Sequence, residues 1–170
     1  MNYYIFRHGE TISTKGIAPY GNTQFTTGIL PEGHAAIEKM SEFLKNIPTD
    51  HNAASELLRV QQTVKIVTKV TGKVFEKDIR LNELLTEDGV EPPYPFTGYF
   101  IPRRKLLREF IKEMEIKYVS VAICTHGYII SGLKHLITKG EFNVEDVGDY
   151  PQPGILTILK DKRLEEIDFN

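Results

Sequence analysis

The sequence contains a single cysteine, Cys124, among 170 residues. One cysteine excludes a disulfide framework and a zinc site built from several thiolates. Basic residues are not in excess either, because 21 lysines and arginines stand against 23 aspartates and glutamates. The resulting net charge of −2 is poorly suited to binding a nucleic-acid backbone, so we expect no nucleic-acid partner. No apolar run approaches the roughly 18–20 residues of a membrane span, so we expect no membrane partner.

The composition is that of an ordinary globular domain, with 41% hydrophobic and 26% charged residues. A chain of 170 residues is long enough to bury its own core, and we expect one domain over residues 1–170. The first residues do not combine a charged segment with a following apolar segment, so no signal peptide is predicted. We therefore expect a cytoplasmic protein.

Short runs of β-forming residues alternate with longer runs of helical period. Strands are predicted at residues 3–6, 53–54, 119–124, 155–159 and 164–167, and helices at 31–47, 57–70, 103–114 and 129–137. Strands separated by helices predict an α/β fold, a three-layer sandwich whose mostly parallel central sheet has helices on both faces. Residues 11–30 and 86–102 are rich in glycine and proline and are predicted to be two long loops. Loops of this length are more often functional than structural.

Polar clusters follow three of the predicted strands. The first strand runs into Arg7-His8-Gly9-Glu10-Thr11, the strand at 119–124 runs into Thr125-His126-Gly127, and the weak strand at 53–54 runs into a segment that contains Arg59. In open α/β sheets, ligands bind beyond the carboxyl ends of the strands. The sequence therefore predicts that two histidines and two arginines meet at one edge of the sheet.

Histidine and arginine together favour phosphoryl chemistry. A neutral imidazole is a competent nucleophile near pH 7, since its unperturbed pKa is about 6.5. Two guanidinium groups can bind phosphate oxygens by paired hydrogen bonds and neutralise their charge. Each of these residues alone would more often be a surface ion-pair partner or a buried structural group. Their convergence on one edge of the sheet favours a site.

Four short motifs follow one another along the chain. They are Arg7-His8-Gly9, Ser55-x-Leu57-x-Arg59-x-x-Gln62-Thr63, Leu81-x-Glu83 with Gly89 and Glu91 after it, and Thr125-His126-Gly127. In order and internal spacing they resemble the motifs of the histidine phosphatase superfamily, the phosphoglycerate-mutase-like enzymes. The third motif resembles the segment that supplies a proton donor in that family, and the fourth resembles its second histidine motif. The resemblance spans most of the chain.

The resemblance implies a role for each matching residue. His8 would be the nucleophile that accepts the phosphoryl group, and Glu83 would be the general acid. Arg7, Arg59 and His126 would form the phosphate pocket. Glu87 and Asp88, in the same segment as Glu83, are alternative acids.

The sequence departs from the family pattern at the sixth residue after the nucleophile. Many family members have an asparagine that contacts phosphate there, whereas this chain has Thr14. Because a hydroxyl can also donate a hydrogen bond, Thr14 is a candidate phosphate ligand.

These observations predict a phosphatase that hydrolyses a phosphate monoester of a small molecule through a phosphohistidine on His8. No metal or other cofactor is expected, and His34, His51 and His135 have no partners at metal-ligand spacing. A phosphomutase of the same family is the first alternative, although mutases usually carry a longer insertion between the acid and the second histidine. A phospho-ligand-binding protein without turnover is the second. The loops at 12–30 and 86–102 are expected to determine the substrate, which the sequence does not identify, and the oligomeric state is left open.

Overall fold

Six strands form one sheet in the computed structural model, which describes residues 1–83 and 97–170. The strands are β1 (Asn2–Arg7), β2 (His51–Ala54), β3 (Glu76–Lys77), β4 (Ser120–Thr125), β5 (Ile155–Lys160) and β6 (Arg163–Asp168). Their order across the sheet is β3-β2-β4-β1-β5-β6. β1, β2, β3 and β4 pair in parallel, whereas β5 and β6 are antiparallel to their neighbours. The predicted α/β fold with a mostly parallel sheet is confirmed.

Within residues 1–83 and 97–170, four α-helices cover the two faces of the sheet. They are α1 (His34–Lys45), α2 (Leu58–Thr71), α3 (Thr97–Lys117) and α4 (Gly127–Lys139). Because side chains alternate along a strand, Ile5 and Phe6 of β1 point to opposite faces. Phe6 packs with buried residues of α1 and α2, and Ile5 packs with those of α3 and α4. The three predicted layers are thus confirmed.

The sequence patterns of α1 and α2 explain how these helices pack and end. Their buried residues recur at intervals of three or four, as in Val60, Val64 and Val67 of α2, so each helix presents one apolar stripe to the sheet. Gly72 ends α2 with a φ of +76°, and its N–H donates to the carbonyl of Thr68. This left-handed conformation favours glycine.

The prediction was wrong at the start of α3 and at one strand. The loop expected over residues 86–102 does not reach its predicted end, because α3 begins at Thr97 and contains Pro102. Phe100, in the first turns of the helix, is buried and its ring lies 4.8 Å from that of Phe142, so tertiary packing extends the helix past the proline. The rest of that loop lies outside the described residues. The short edge strand β3 was not predicted at all.

In the part of the chain that the structure describes, no helix is both long and apolar enough to cross a bilayer.

Candidate active site

The carboxyl ends of three neighbouring parallel strands bring the predicted residues together. His8 follows β1, and its backbone N–H donates to the carbonyl of Thr125 at the end of β4, 3.0 Å away. His126 follows β4, and the ring centres of the two histidines are 5.2 Å apart. Ser55 follows β2 and leads into α2, whose first turn contains Arg59. The parallel order of β2, β4 and β1 therefore creates the histidine and arginine cluster.

The hydrogen bonds of His8 define its tautomer. Its Nδ1 lies 2.8 Å from the carbonyl oxygen of Gly9, and because a carbonyl only accepts, Nδ1 carries a hydrogen and donates. The Nε–H of Arg59 donates to Nε2 of His8 over 3.2 Å. Nε2 therefore carries no hydrogen, and its lone pair accepts this bond from the guanidinium group.

Arg59 is fully buried at the bottom of the site. Its Nη1 donates to the carbonyl of Gln24 over 2.6 Å, and its guanidinium carbon lies 4.3 Å from the centre of the Tyr20 ring. Nη2 lies 3.9 Å from Oε2 of Glu83. A buried cation needs such partners, since burial without compensation is costly.

Arg7, the second predicted arginine, lies closer to the surface. It is half-buried at the end of β1, and its guanidinium carbon lies 4.9 Å from the centre of the Tyr150 ring. Its Nε is buried and has no hydrogen-bond partner among residues 1–83 and 97–170. A donor of this kind is suited to an anionic ligand.

Glu83 is buried next to both His126 and Arg59, as expected of a residue of the site. Its Oε2 lies 3.5 Å from Nδ1 of His126. The guanidinium of Arg103 on α3 donates to the backbone carbonyls of Ile79, Arg80 and Glu83 over 3.4 Å each. α3 thus holds the segment that presents the Glu83 carboxyl group. The alternative acids Glu87 and Asp88 lie outside the described residues.

Thr14 lines a cavity at this edge of the sheet together with Arg7 and Glu83, but its hydroxyl already has partners. It donates to the carbonyl of Thr11 over 3.1 Å and accepts from the backbone N–H of Thr11 over 2.8 Å. These bonds stabilise the turn that follows the first motif. Thr14 as a phosphate ligand stays a prediction, and it requires the hydroxyl to rotate away from Thr11.

Both histidines are neutral in this environment. Burial lowers the pKa of His8 well below its usual range, and the nearby Arg59 and Arg7 lower it further. Burial also lowers the pKa of His126 well below its usual range, and the nearby Arg59, His8, Arg7 and Arg103 lower it further. A neutral His8 is the form that can attack an electrophile.

Acidification should destabilise the protein because of these two histidines. Below about pH 6.5 the unfolded chain binds protons on both imidazoles that the folded chain does not, so the free energy of unfolding falls with falling pH. Each group contributes a slope of about 1.4 kcal/mol per pH unit. Urea denaturation of the wild type and of His126→Gln at pH 7.5 and pH 5, without phosphate, measures this. We expect the wild type to lose more stability on acidification, and a loss equal to or smaller than that of the variant would contradict the account.

A cavity of about 160 Å³ opens at this edge of the sheet. Arg7 and Glu83 line it together with residues of three segments of the chain: Ser13, Thr14, Tyr20, Gly127, Tyr128, Tyr150 and Gln152. The loop at 12–30 was expected to contact the ligand, and it does contribute three of these residues. Tyr128, Tyr150 and Gln152 were not predicted, because no motif distinguishes them from surface residues. A Cβ at Gly127 would lie 2.7 Å from the Tyr150 ring, so glycine permits this close approach.

No group of three or more potential metal-ligating side chains is present in the ranges 1–83 and 97–170. His135 is buried on α4, and its Nε2 lies 2.7 Å from Oδ2 of Asp149. This is the environment of a structural histidine.

Several solved protein structures have the same fold as this chain. The α-ribazole phosphatase from Shigella flexneri superposes with a TM-score of 0.77 and 17% identity, over 99% of this chain and 95% of that one. A mycobacterial glucosyl-3-phosphoglycerate phosphatase gives a TM-score of 0.70 and 17% identity, over 96% of each chain. YhfR from Bacillus stearothermophilus gives 0.74 and 15% identity, over 96% of this chain and 94% of that one. A search of curated protein sequences finds no significant match.

The sequence also matches a family profile directly. The profile of the histidine phosphatase superfamily (branch 1) covers residues 3–88, just over half of the chain. The match includes the first two motifs and Glu83, and the superposed structures share the whole fold. The chain therefore belongs to the histidine phosphatase superfamily.

Proposed function

We propose that the protein is a phosphatase that hydrolyses a phosphate monoester through a phosphohistidine on His8. The observation that supports this most strongly is the state of His8. Its Nδ1–H is bound to the carbonyl of Gly9, and the lone pair on Nε2 lies 3.2 Å from Nε of Arg59. A neutral imidazole with a fixed lone pair beside a cation is suited to attack on phosphorus, because the cation stabilises the charge of the transferring group.

The phosphate group would be held by Arg7, Arg59 and His126. The two guanidinium groups can bind its oxygens by charge-assisted hydrogen bonds and neutralise the charge that develops in the transition state. Thr14 is proposed as a further donor from the loop after β1. No metal or cofactor is proposed, since side chains supply every step.

Access to His8 requires a small movement of the residues above it. His8, Arg59 and His126 are fully buried, whereas Tyr20 and Glu83 line the cavity and also contact Arg59. We propose that phosphate reaches Nε2 of His8 when these two side chains move aside and the Nε–H of Arg59 turns from Nε2 to a phosphate oxygen, which frees the Nε2 lone pair. The phosphate then replaces Glu83 as the anionic partner of Arg59.

Glu83 would transfer the protons. In the first step, the bond between Nε2 of His8 and phosphorus forms, the bond to the leaving oxygen breaks, and Glu83 gives its proton to that oxygen. In the second step, water attacks phosphorus, loses a proton to Glu83, and the nitrogen–phosphorus bond breaks. The bound dianion disfavours a second negative charge nearby, which favours the protonated carboxyl group that the first step needs.

The substrate is proposed to be a small phosphorylated molecule. The structures named above as an α-ribazole phosphatase and a glucosyl-3-phosphoglycerate phosphatase share the fold, which supports a phosphatase without identifying the substrate. A mutase would return the phosphoryl group to a substrate, but Glu83 and His126 are separated by a short stretch of chain. Localisation in the cytoplasm stays a prediction from the sequence.

The proposal is tested by hydrolysis of p-nitrophenyl phosphate in the presence of EDTA, followed by phosphate release from a panel of phosphorylated metabolites. We expect turnover of the aryl ester and of at least one metabolite. Phosphoryl transfer between metabolites without phosphate release would indicate a mutase. Binding of phosphate without any turnover would indicate a binding protein, and either result would overturn the proposal.

A further inference from the structure

The imidazole of His126 lies between a serine and the proposed acid. Its Nε2 is 2.8 Å from Oγ of Ser55, and its Nδ1 is 3.5 Å from Oε2 of Glu83. The ring is fully buried, as is Ser55. Which of the two ring nitrogens carries the hydrogen therefore determines what His126 offers to a ligand.

Asn82 determines the direction of the hydrogen bond at Ser55. The backbone N–H of Glu56 donates to Oδ1 of Asn82 over 2.9 Å, so this atom is the amide oxygen and can only accept. Oγ of Ser55 lies 2.8 Å from the same oxygen. The single hydroxyl hydrogen of Ser55 must therefore point to Asn82.

This direction fixes the tautomer of His126. Since Ser55 has given its hydrogen to Asn82, its oxygen accepts from His126, and Nε2 carries the ring hydrogen. In the neutral ring, Nδ1 then bears a lone pair. Within the part of the chain that the structure describes, Nδ1 is buried and makes no hydrogen bond.

A lone pair at Nδ1 does not suit a phosphate ligand. The terminal oxygens of a phosphate monoester dianion only accept hydrogen bonds, so Nδ1 can bond to one of them only when it carries a proton. The charged and titratable groups that face His126 come from every neighbouring element: Arg7, His8, Arg59, Glu83 and Arg103. A bound dianion offsets the cationic groups among them, and this change favours a protonated imidazole.

We infer that Asn82, acting through Ser55, makes His126 take up a proton at Nδ1 when a phosphate group binds. The proton comes from solvent and forms an N–H bond at Nδ1, and no bond between heavy atoms changes. Asn82 is thus a positioning residue. Without it, Ser55 could donate to Nε2, and the neutral ring could present an Nδ1–H to the ligand with no proton uptake. The inference rests on the proposed function, since it assumes that phosphate binds in this pocket.

The test is ¹⁵N NMR of histidine-labelled protein with inorganic phosphate as the probe, the His126 signals being assigned with His126→Gln. In the free wild type we expect a protonated Nε2 and an unprotonated Nδ1. Phosphate should move the Nδ1 signal into the range of a protonated ring nitrogen. An Nδ1 that is protonated before binding, or one that stays unprotonated after it, would overturn the inference.

Variants of Asn82 show whether this residue sets the tautomer of His126 or only supports the local structure. Asn82→Ala should populate the tautomer with Nδ1–H in the free protein, whereas Asn82→Asp keeps an acceptor for Ser55 and should retain the wild-type tautomer. Glu56→Ala is the matched control, because it removes the side chain 3.4 Å from Nδ2 of Asn82 and keeps the backbone bond to Oδ1. A wild-type tautomer in Asn82→Ala would contradict the role of Asn82. If Asn82→Ala does not fold, the wild-type spectra still decide the inference.

The two proposals can fail separately in this experiment. Phosphate binding without protonation of Nδ1 overturns the inference and leaves the proposed function intact. Absence of phosphate binding overturns the proposed pocket, and the proton uptake with it.

Discussion

Replacement of His8 by alanine is expected to lower kcat by about 10⁴–10⁶-fold, because no other side chain is proposed to attack phosphorus. Arg7 and Arg59 remain in this variant, so vanadate or phosphate should still bind, although more weakly. Steady-state hydrolysis of p-nitrophenyl phosphate measures the loss of activity, and a binding titration measures the retained affinity.

A matched control for this variant is His34→Ala, which removes a histidine at the start of α1 instead of at the end of β1. We expect near wild-type kinetics for this control. Near-normal activity in His8→Ala would show that His8 is not the nucleophile, and the mechanism proposed here would be wrong.

Replacement of Glu83 by glutamine is expected to slow hydrolysis of alkyl phosphates by about 10²–10⁴-fold, the usual contribution of a general acid. An alkoxide is a poor leaving group that needs a proton, whereas p-nitrophenolate leaves almost unaided. The phosphorylation of His8 by p-nitrophenyl phosphate should therefore suffer much less. The later attack by water can still slow, because the base is missing.

The pre-steady-state burst of product, measured for an aryl and an alkyl substrate, separates these effects. The same measurement on Glu87→Gln and Asp88→Asn provides the comparison, since both residues follow Glu83 closely in the chain. A large alkyl-specific loss in one of these variants, with small and equal losses in Glu83→Gln, would assign the acid to that residue instead.

The sequence predicted the location of the site because parallel strands impose it. His8, Ser55 and His126 each follow a strand directly, and β1, β4 and β2 are neighbours in the sheet. Once the strands were identified as parallel, their carboxyl ends had to meet at one edge. The spacing from Ser55 to Arg59 then places the arginine in the first turn of α2, where its side chain reaches His8.

Other parts of the site could not be predicted, because they depend on tertiary contacts. Tyr20 covers Arg59 from a loop whose sequence has no periodic pattern of apolar residues. Tyr150 approaches Arg7 from a segment far along the chain. Asn82 lies inside the Leu81-x-Glu83 motif at a position that the motif leaves unspecified. Only the structure shows that its amide oxygen faces Ser55.

Local sequence rules failed where packing outweighed them. Proline and the residue before it disfavour helix, so a helix starting after Pro102 was the natural expectation. The free energy gained when Phe100 is buried against Phe142 exceeds the cost of the backbone hydrogen bond that Pro102 cannot donate. The strand β3 has only two residues, which is too short to show the alternation of apolar and polar residues that identifies a strand. The single domain over residues 1–170 stays a prediction.

Covalent transfer of the phosphoryl group to His8 can be observed by trapping the phosphorylated intermediate. Wild-type protein is mixed with p-nitrophenyl phosphate, quenched with alkali within one turnover, digested and analysed by mass spectrometry. We expect one added phosphoryl group on the peptide that contains His8, localised to its imidazole and absent from His8→Ala. Turnover with no phosphorylated peptide, or with the phosphoryl group on another residue, would show that His8 is not the nucleophile.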